Sequence, residues 1–190
     1  MPLSAPPANL VRFPVSLWSR TLYRIHRAAN DPVYFSNSGD GRFDLQPPDG
    51  TLYLAVTAVG AVIEVFRTTL IPLAEVELRR LTTIEPTRKW RLADCTTSAA
   101  RGHGVTAAIH SDPNYEMCQR WAAAFHEHGF DGILYRLSHD PSEGETGIAL
   151  FHSDSAAAPL RVTGTAEIND ALLSEVRATF AMIVVATPGA

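Results

Sequence analysis

The sequence predicts a single α+β domain, and three observations carry that expectation. Short apolar segments bounded by turn residues read as strands at 51–56, 132–137 and 147–151. Two stretches, 58–67 and the segment ending at Gly129, have the apolar spacing of amphipathic helices. The two kinds alternate without the strand–helix–strand repeat of a doubly wound sheet. The 190 residues, 46% of them apolar, furnish one core and leave little for a second.

In chain order, residues 1–15 hold several prolines and are expected to be loose. Residues 18–26 read as a strand. A polar loop from 27 to 50 then carries Asn37, Gly39, Asp40, Gly41, Pro47, Pro48, Asp49 and Gly50, nearly every turn-forming residue type. Loops of this length are uncommon in compact domains and are often functional, so this one is expected to border a cleft. Strand 51–56 leads into helix 58–67, and 70–78 and 88–93 read as further strands. Asp112 is read as a helix cap with Pro113 in the first turn, and Gly129 as the stop. Tyr115, Cys118, Trp121, Ala122 and Phe125 share one face of that helix, which makes it a core helix. Segments 132–137 and 147–151 pair as a hairpin. Residues 153–159 loosely join a C-terminal extension at 160–186, in which Ile168, Leu172, Leu173 and Val176 form a helical stripe and 180–185 a strand. Residues 187–190 are expected to be loose.

Composition excludes several function classes. Sixteen basic against 20 acidic residues leave a net charge of −4, unsuited to binding duplex nucleic acid by phosphate neutralisation. Apolar runs at 52–63 and 180–186 are too short to span a membrane, and the N-terminus lacks the basic start of a signal peptide. A cytoplasmic protein with no membrane or nucleic-acid contact is expected. Two cysteines are too few for a disulfide framework or a thiolate zinc cage. His126 and His128 stand two apart at a helix end and point in different directions, and His103 and His110 have no partner ligands at metal spacing, so no metal is expected. Cys118 falls on an apolar stripe, and Asp94 next to Cys95 opposes thiolate formation.

Three residues remain: Arg42, Tyr53 and Glu64, spaced 11 and 11. Each has an ordinary explanation, as a loop cation, a core aromatic and a surface carboxylate paired with Arg67 one turn on. On a helical wheel, Val59, Val62, Ile63 and Phe66 form the buried stripe. Glu64 falls opposite, with Thr57 and Gly60 leaving space beside it.

The chain resembles the RES domain family from about residue 22 to 151. The matching pieces, in order, are LYRIHRA at 22–28, DPVYFSNSGDGRFD at 31–44, TLYLAVTAVGAVIEVF at 51–66 and LADCTTSAARGHG at 92–104, followed by DPNYEMCQRWAAAFHEHGFDGILYRLSHDP at 112–141 and IALF at 148–151. The resemblance implies an ADP-ribosyltransferase-like fold, a split mixed β-sheet with flanking helices that binds NAD in its cleft. It further implies a toxin that cleaves NAD by hydrolysis or, with inorganic phosphate, by phosphorolysis, with ADP-ribose transfer to protein or an idle binding module as alternatives. The implied partner is a helix-turn-helix antitoxin that plugs the cleft. Carried onto this sequence, the resemblance assigns Arg24, Arg42, Tyr53 and Glu64 to the catalytic and NAD-binding site. One departure stands out. Where the family commonly reads Tyr-x-Ser-Arg, this chain reads Tyr135-Arg136-Leu137-Ser138. On a continuous strand Ser138 leaves the face opposite to the family's serine, and joins the NAD site only through a local bulge.

Overall fold

The computed structural model describes residues 2–153 and 157–186. In chain order the elements are β1 (Val15–Trp18), β2 (Leu22–Arg27), β3 (Asp49–Ala55), α1 (Ala58–Phe66), β4 (Leu70–Pro72), α2 (Leu73–Glu77), β5 (Arg79–Pro86) and β6 (Trp90–Asp94). A 3-10 turn at Ser98–His103 precedes α3 (Ala108–Ser111), α4 (Tyr115–Glu127), β7 (Gly132–Arg136), β8 (Thr146–Ser153), β9 (Leu160–Ala166), α5 (Asp170–Phe180) and β10 (Ile183–Val185). Eight strands form one mixed sheet in the order β1-β6-β7-β8-β3-β2-β5-β9, with β6 and β7 parallel; β10 and β4 pair separately.

This order forces the sheet to curl. Strands β5 and β6 lie five positions apart, roughly 24 Å on a flat sheet. The chain between Pro86 and Trp90 reaches at most about 15 Å. The two halves must therefore fold toward each other, and their concave side encloses a cluster that includes Leu22, Leu52, Ile84, Trp90, Leu92 and Leu150, all fully buried. The other side of the sheet packs against α1, α4 and α5 through a larger cluster. Strand alternation divides the side chains between the two. Leu52 and Leu54 point into the curl, so Tyr53 between them faces the helices.

The sheet is also split. β3 and β8 pair along seven positions, and β2 and β5 along six. Between β2 and β3, the described residues show one register pair, Tyr23 with Ala55. The two strands diverge from that point, and the opening is the cleft described below.

The core helix α4 forms as its apolar stripe requires, with Cys118, Trp121, Ala122 and Phe125 buried. Its cap differs from expectation. Asn114, not Asp112, accepts from an N–H of the first turn, that of Glu116 at 3.1 Å, and Asp112 instead receives the Asn114 N–H at 2.9 Å. At the other end Gly129 takes φ +72° and the Phe130 N–H closes back on the Phe125 carbonyl.

Several local expectations are corrected. The N-terminal segment, expected to be loose, is packed. Leu3, Leu10 and Phe13 are buried, Phe13 meets Phe125 edge-on at 4.7 Å, and the Trp121 indole donates to the Ser4 carbonyl. Prolines restrict this segment, so little chain entropy opposes its docking. Segment 18–26 holds the last residue of β1, a break at 19–21 and most of β2. Segment 70–78 is a three-residue strand and a short helix, because Ala74, Glu75 and Glu77 favour helix. Segment 180–185 splits into the end of α5 and β10. The hairpin of β7 and β8 pairs Gly132 with Leu150 through Arg136 with Thr146. The 187–190 tail and the middle of the 153–159 connection lie outside the described residues. Among the described residues no helix is long and apolar enough to cross a membrane.

Candidate active site

A cavity of about 400 Å³ opens where β2 and β3 part, and Arg24, Arg42, Tyr53, Glu64 and Ser138 all line it. β2 supplies Tyr23 and Arg24, β3 supplies Tyr53, the last turn of α1 supplies Glu64, and the 27–50 loop supplies Asp40, Gly41 and Arg42. Tyr115 and Tyr135 complete an aromatic wall.

The loop carrying Arg42 is held by one carboxylate that sequence reasoning missed. Asp44 is 1% exposed. Its Oδ2 accepts from the Gly39 and Gly41 N–H groups at 3.1 and 3.0 Å and from the Ser38 and Ser36 hydroxyls at 3.2 and 3.3 Å. Its Oδ1 accepts from the Tyr53 hydroxyl at 2.9 Å, and that hydroxyl accepts from the Phe43 N–H at 2.8 Å. Gly41 is required by close approach, since a Cβ there would lie 2.2 Å from Asp44 Oδ1 and 2.5 Å from the Tyr53 oxygen. Gln119 on α4 donates to the Gly39 and Gly41 carbonyls, tying the loop to the core helix. The sequence offers only a faint signal for it, an aspartate between the apolar Phe43 and Leu45 in a glycine-containing loop.

Each arginine is anchored through one nitrogen. Arg24 Nη1 donates to the Pro32 and Tyr34 carbonyls at 2.7 and 3.3 Å. Burial lowers its pKa to about 10, with nearby Asp31 opposing, so it stays cationic at neutral pH. Arg42 Nη1 donates to the Asp112 carbonyl at 2.7 Å, and its guanidinium lies over the Tyr115 ring at 4.6 Å. Tyr115, expected on the core stripe, is thus the platform under Arg42. The remaining nitrogens of both arginines make no hydrogen bond among the described residues. Each guanidinium thus keeps planar donors to spare, the geometry that pairs with anionic groups.

Glu64 is 21% exposed at its side chain and receives Arg67 Nη2 on Oε1 at 2.9 Å. Burial pushes its pKa up, while Arg67 and then Arg42 pull it down. Tyr53 is held as a neutral phenol, chiefly by burial and then by the Asp44 charge. The space beside Gly60 is not left open as expected. Glu145 Oε2 and Leu137 from the β7–β8 loop fill it. There the Thr57 hydroxyl caps α1 at the Gly60 N–H and donates to Glu145 Oε2 at 2.5 Å, clipping that loop to the helix that carries Glu64.

The clip accounts for Ser138. β7 ends at Arg136, the Leu137 N–H turns to the Glu145 carbonyl, and the Asp140 N–H returns to the Leu137 carbonyl. Strand alternation no longer applies beyond Arg136. No bulge is needed: Leu137 is buried, and the turn delivers Ser138 to the cavity wall.

Among the described residues no histidine or cysteine lines this cavity, although the Cys118 sulfur lies behind Arg42, 3.9 Å from its Nη1. His126 faces Asp49, His128 meets the Ala124 carbonyl, and His103 packs on Phe13. His110 is half-buried, and burial followed by Arg136 lowers its pKa to about 4, so it is a neutral ring. Both cysteines are buried, and burial raises both thiol pKa values. Among the described residues no three metal-ligating side chains are grouped to hold an ion.

The RES domain family model matches residues 21–170. The chain belongs to the RES domain family. A chain in the crystal structure of the M. tuberculosis MbcT-MbcA toxin-antitoxin complex is similar in fold, with a TM-score of 0.68 and 24% identity over 87% of this chain and 92% of that one. No curated protein matches. The matched span of this RES domain includes both split strands, the loop, α1, α4 and the β7–β8 turn, and so every residue lining the cavity.

Arg42→Lys tests whether the loop arginine is a ligand fork. Lysine keeps the charge but loses the planar pair of donors. One charge-assisted contact is worth about 1.5–3 kcal/mol, so kcat/KM for an anionic substrate should fall roughly 10–100-fold. The melting temperature should stay within a few degrees of the parent's. Equal turnover would make Arg42 a structural tie between the loop and the start of α4, with no part in holding a ligand.

Proposed function

We propose that this RES domain is a toxin enzyme that cleaves the nicotinamide–ribose bond of NAD, releasing nicotinamide to water or inorganic phosphate. The observation that carries the reading is the cavity itself, where two guanidinium forks, an ordered tyrosine and a mostly buried carboxylate converge at the split of the sheet. The chain is net negative, yet three arginines and one glutamate line this cavity alongside Asp40. Such a balance suits a diphosphate.

The bond to be broken differs from an ordinary glycoside. Nicotinamide is already a cationic pyridinium and leaves neutral, taking the bonding electron pair, so no general acid has to protonate it. The ribose carbon becomes oxocarbenium-like. Glu64, held in a partly desolvated wall, stabilises that developing charge or a ribose hydroxyl beside it. Arg24 and Arg42 hold the pyrophosphate, and Tyr53, its hydroxyl already engaged by Asp44, offers its ring to the nicotinamide or ribose edge. Water, losing a proton to solvent, or an unprotonated phosphate oxygen then bonds to the ribose carbon, yielding ADP-ribose or its 1″-phosphate.

The fold similarity to a chain from a toxin-antitoxin complex supports a protein partner for this chain as well. We assign it to a helix-turn-helix antitoxin that covers the cleft.

Incubating the purified protein with NAD, with and without phosphate, and separating the products tests the reading. Free nicotinamide with ADP-ribose or its 1″-phosphate is expected. Label transferred to protein would move the assignment to ADP-ribosyl transfer, and intact NAD would leave a binding module. The pH profile gives a second check. Glu64 acts as the anion and its pKa is raised chiefly by burial. Activity should therefore be lost as pH falls through a midpoint above the ordinary glutamate range. An acid limb at or below that range would contradict the assignment.

A further inference from the structure

We propose that Arg67 is a positioning residue for Glu64, holding its carboxylate ionised and aimed into the cleft from the end of α1. The proposal rests on the reading above that the Glu64 anion does the chemistry. Three observations carry it.

The first is backbone conformation. Arg67 caps α1 at φ +52°, ψ +23°, the left-handed region that helix ends usually give to glycine. Ala181 ends α5 in the same conformation, so the geometry is that of a helix end; at Arg67 it places a guanidinium rather than a glycine hydrogen directly beside Glu64.

The second is the hydrogen bonding. Arg67 N–H closes on the Ile63 carbonyl at 3.1 Å, Nε donates to the Glu64 carbonyl at 2.7 Å, and Nη2 donates to Glu64 Oε1 at 2.9 Å. The guanidinium is thus fixed to the same residue by backbone and side chain. An exposed ion pair between two free side chains contributes little. Here the fork makes two hydrogen bonds to one residue and the carboxylate is mostly buried, although Arg67 itself is 49% exposed.

The third is location. Arg67 lines both the Glu64 cavity and a neighbouring one of about 460 Å³, bounded by His139, Phe180 and Met182. The charged and titratable groups facing Glu64 are Arg67 on its own helix, Arg42 from the loop and Tyr135 from β7. Arg42 Nη1 is committed to Asp112 and Tyr115 lies beneath it, so Arg67 is the cation that hydrogen-bonds the carboxylate. His139 faces Arg67 and Arg42, and burial and those two charges lower its pKa.

Arg67→Lys, Arg67→Gln and Arg67→Gly are compared with the parent in two measurements. Carbon-13 NMR titration of the Glu64 carboxyl, assigned by its loss in Glu64→Gln, follows protonation without turnover. Nicotinamide release against pH gives the acid limb of kcat/KM. In the glutamine and glycine variants the Glu64 midpoint should rise by about one pH unit, the low end for loss of a neighbouring cation because Arg67 is half exposed. The acid limb should move with it, and the activity deficit should shrink as pH rises. Lysine should fall between these variants and the parent. The glycine variant relieves the left-handed strain and should be at least as thermally stable as the parent, so damage to the fold would not explain its shift.

Unmoved Glu64 midpoints in the glutamine and glycine variants would overturn the proposal, whether or not NAD is cleaved. A loss of activity equal at every pH would overturn it too. A midpoint that rises as expected in a protein that leaves NAD intact would support the Arg67–Glu64 coupling and overturn the functional reading instead.

Discussion

Asp44→Ala is expected to destabilise the protein by about 3–4 kcal/mol, although it removes one small polar side chain. The carboxylate is buried and accepts five hydrogen bonds, two from backbone N–H groups and three from hydroxyls. Alanine leaves all five donors without their acceptor. Some recover water, because Gly39 and Asp40 are exposed, which is why the loss stays below the sum of five bonds. For a chain of this length the melting temperature should fall by roughly 10 °C. The Tyr53 hydroxyl loses its anchor and the Gly39–Arg42 segment loses its shape, so NAD cleavage should fall further than stability alone explains. Asp44→Asn is the discriminating companion. Its amide oxygen can keep the four donors now on Oδ2, and Nδ2 can meet the Tyr53 oxygen, so most of the stability should return. An alanine variant that melts within about 2 °C of the parent would show that the loop does not depend on this carboxylate.

Asp44 also marks where the sequence stops being legible. Its neighbours Gly39, Asp40 and Gly41 announce a turn, but the partners that define its role run from Ser36 to Tyr53 and meet only after β3 is in place. The same limit explains the strands. α4 is readable because its buried residues repeat at helical spacing within 13 residues. β5 is not, because it opens on Arg79 and Arg80 and owes its conformation to β2 and β9 on either side. β9 is exposed along nearly its whole length and has no core face for a pattern to record. The split of the sheet has no local signal, since it is the near-absence of pairing between two strands that each read as ordinary.

The candidate site divides in the same way. The spacing of Arg42, Tyr53 and Glu64 and the resemblance to the RES family name residues that the fold gathers around one cavity. The wheel of α1 correctly frees Glu64 from the buried stripe, but it cannot show that the β7–β8 loop fills the space beside Gly60. The route by which Ser138 reaches the cavity, a turn rather than a bulge, is hidden for a related reason. Alternation along a strand is a reliable guide only while the strand continues, and β7 stops at Arg136.

Glu64→Gln is expected to have the largest effect on activity with the least on structure. Glutamine keeps the size of the side chain and an oxygen for Arg67 Nη2, and removes the charge. Loss of the ion pair with Arg67 is offset by relief of a charge held in a partly desolvated wall, where burial outweighs the arginine, so the variant should melt near the parent temperature. The transition state is affected differently. One preorganised electrostatic contact to a developing charge is worth about 3–4 kcal/mol, or roughly 10²–10³ in rate. Ground-state binding should be spared, because the ribose is less positive before the bond breaks. The deciding measurement is therefore nicotinamide release from NAD by Glu64→Gln at saturating substrate, beside a binding titration on the same protein. The account predicts a folded protein that binds NAD with near-parental affinity and turns it over at least about a hundredfold more slowly. Release at the parental rate would remove the carboxylate from the chemistry and contradict the mechanism.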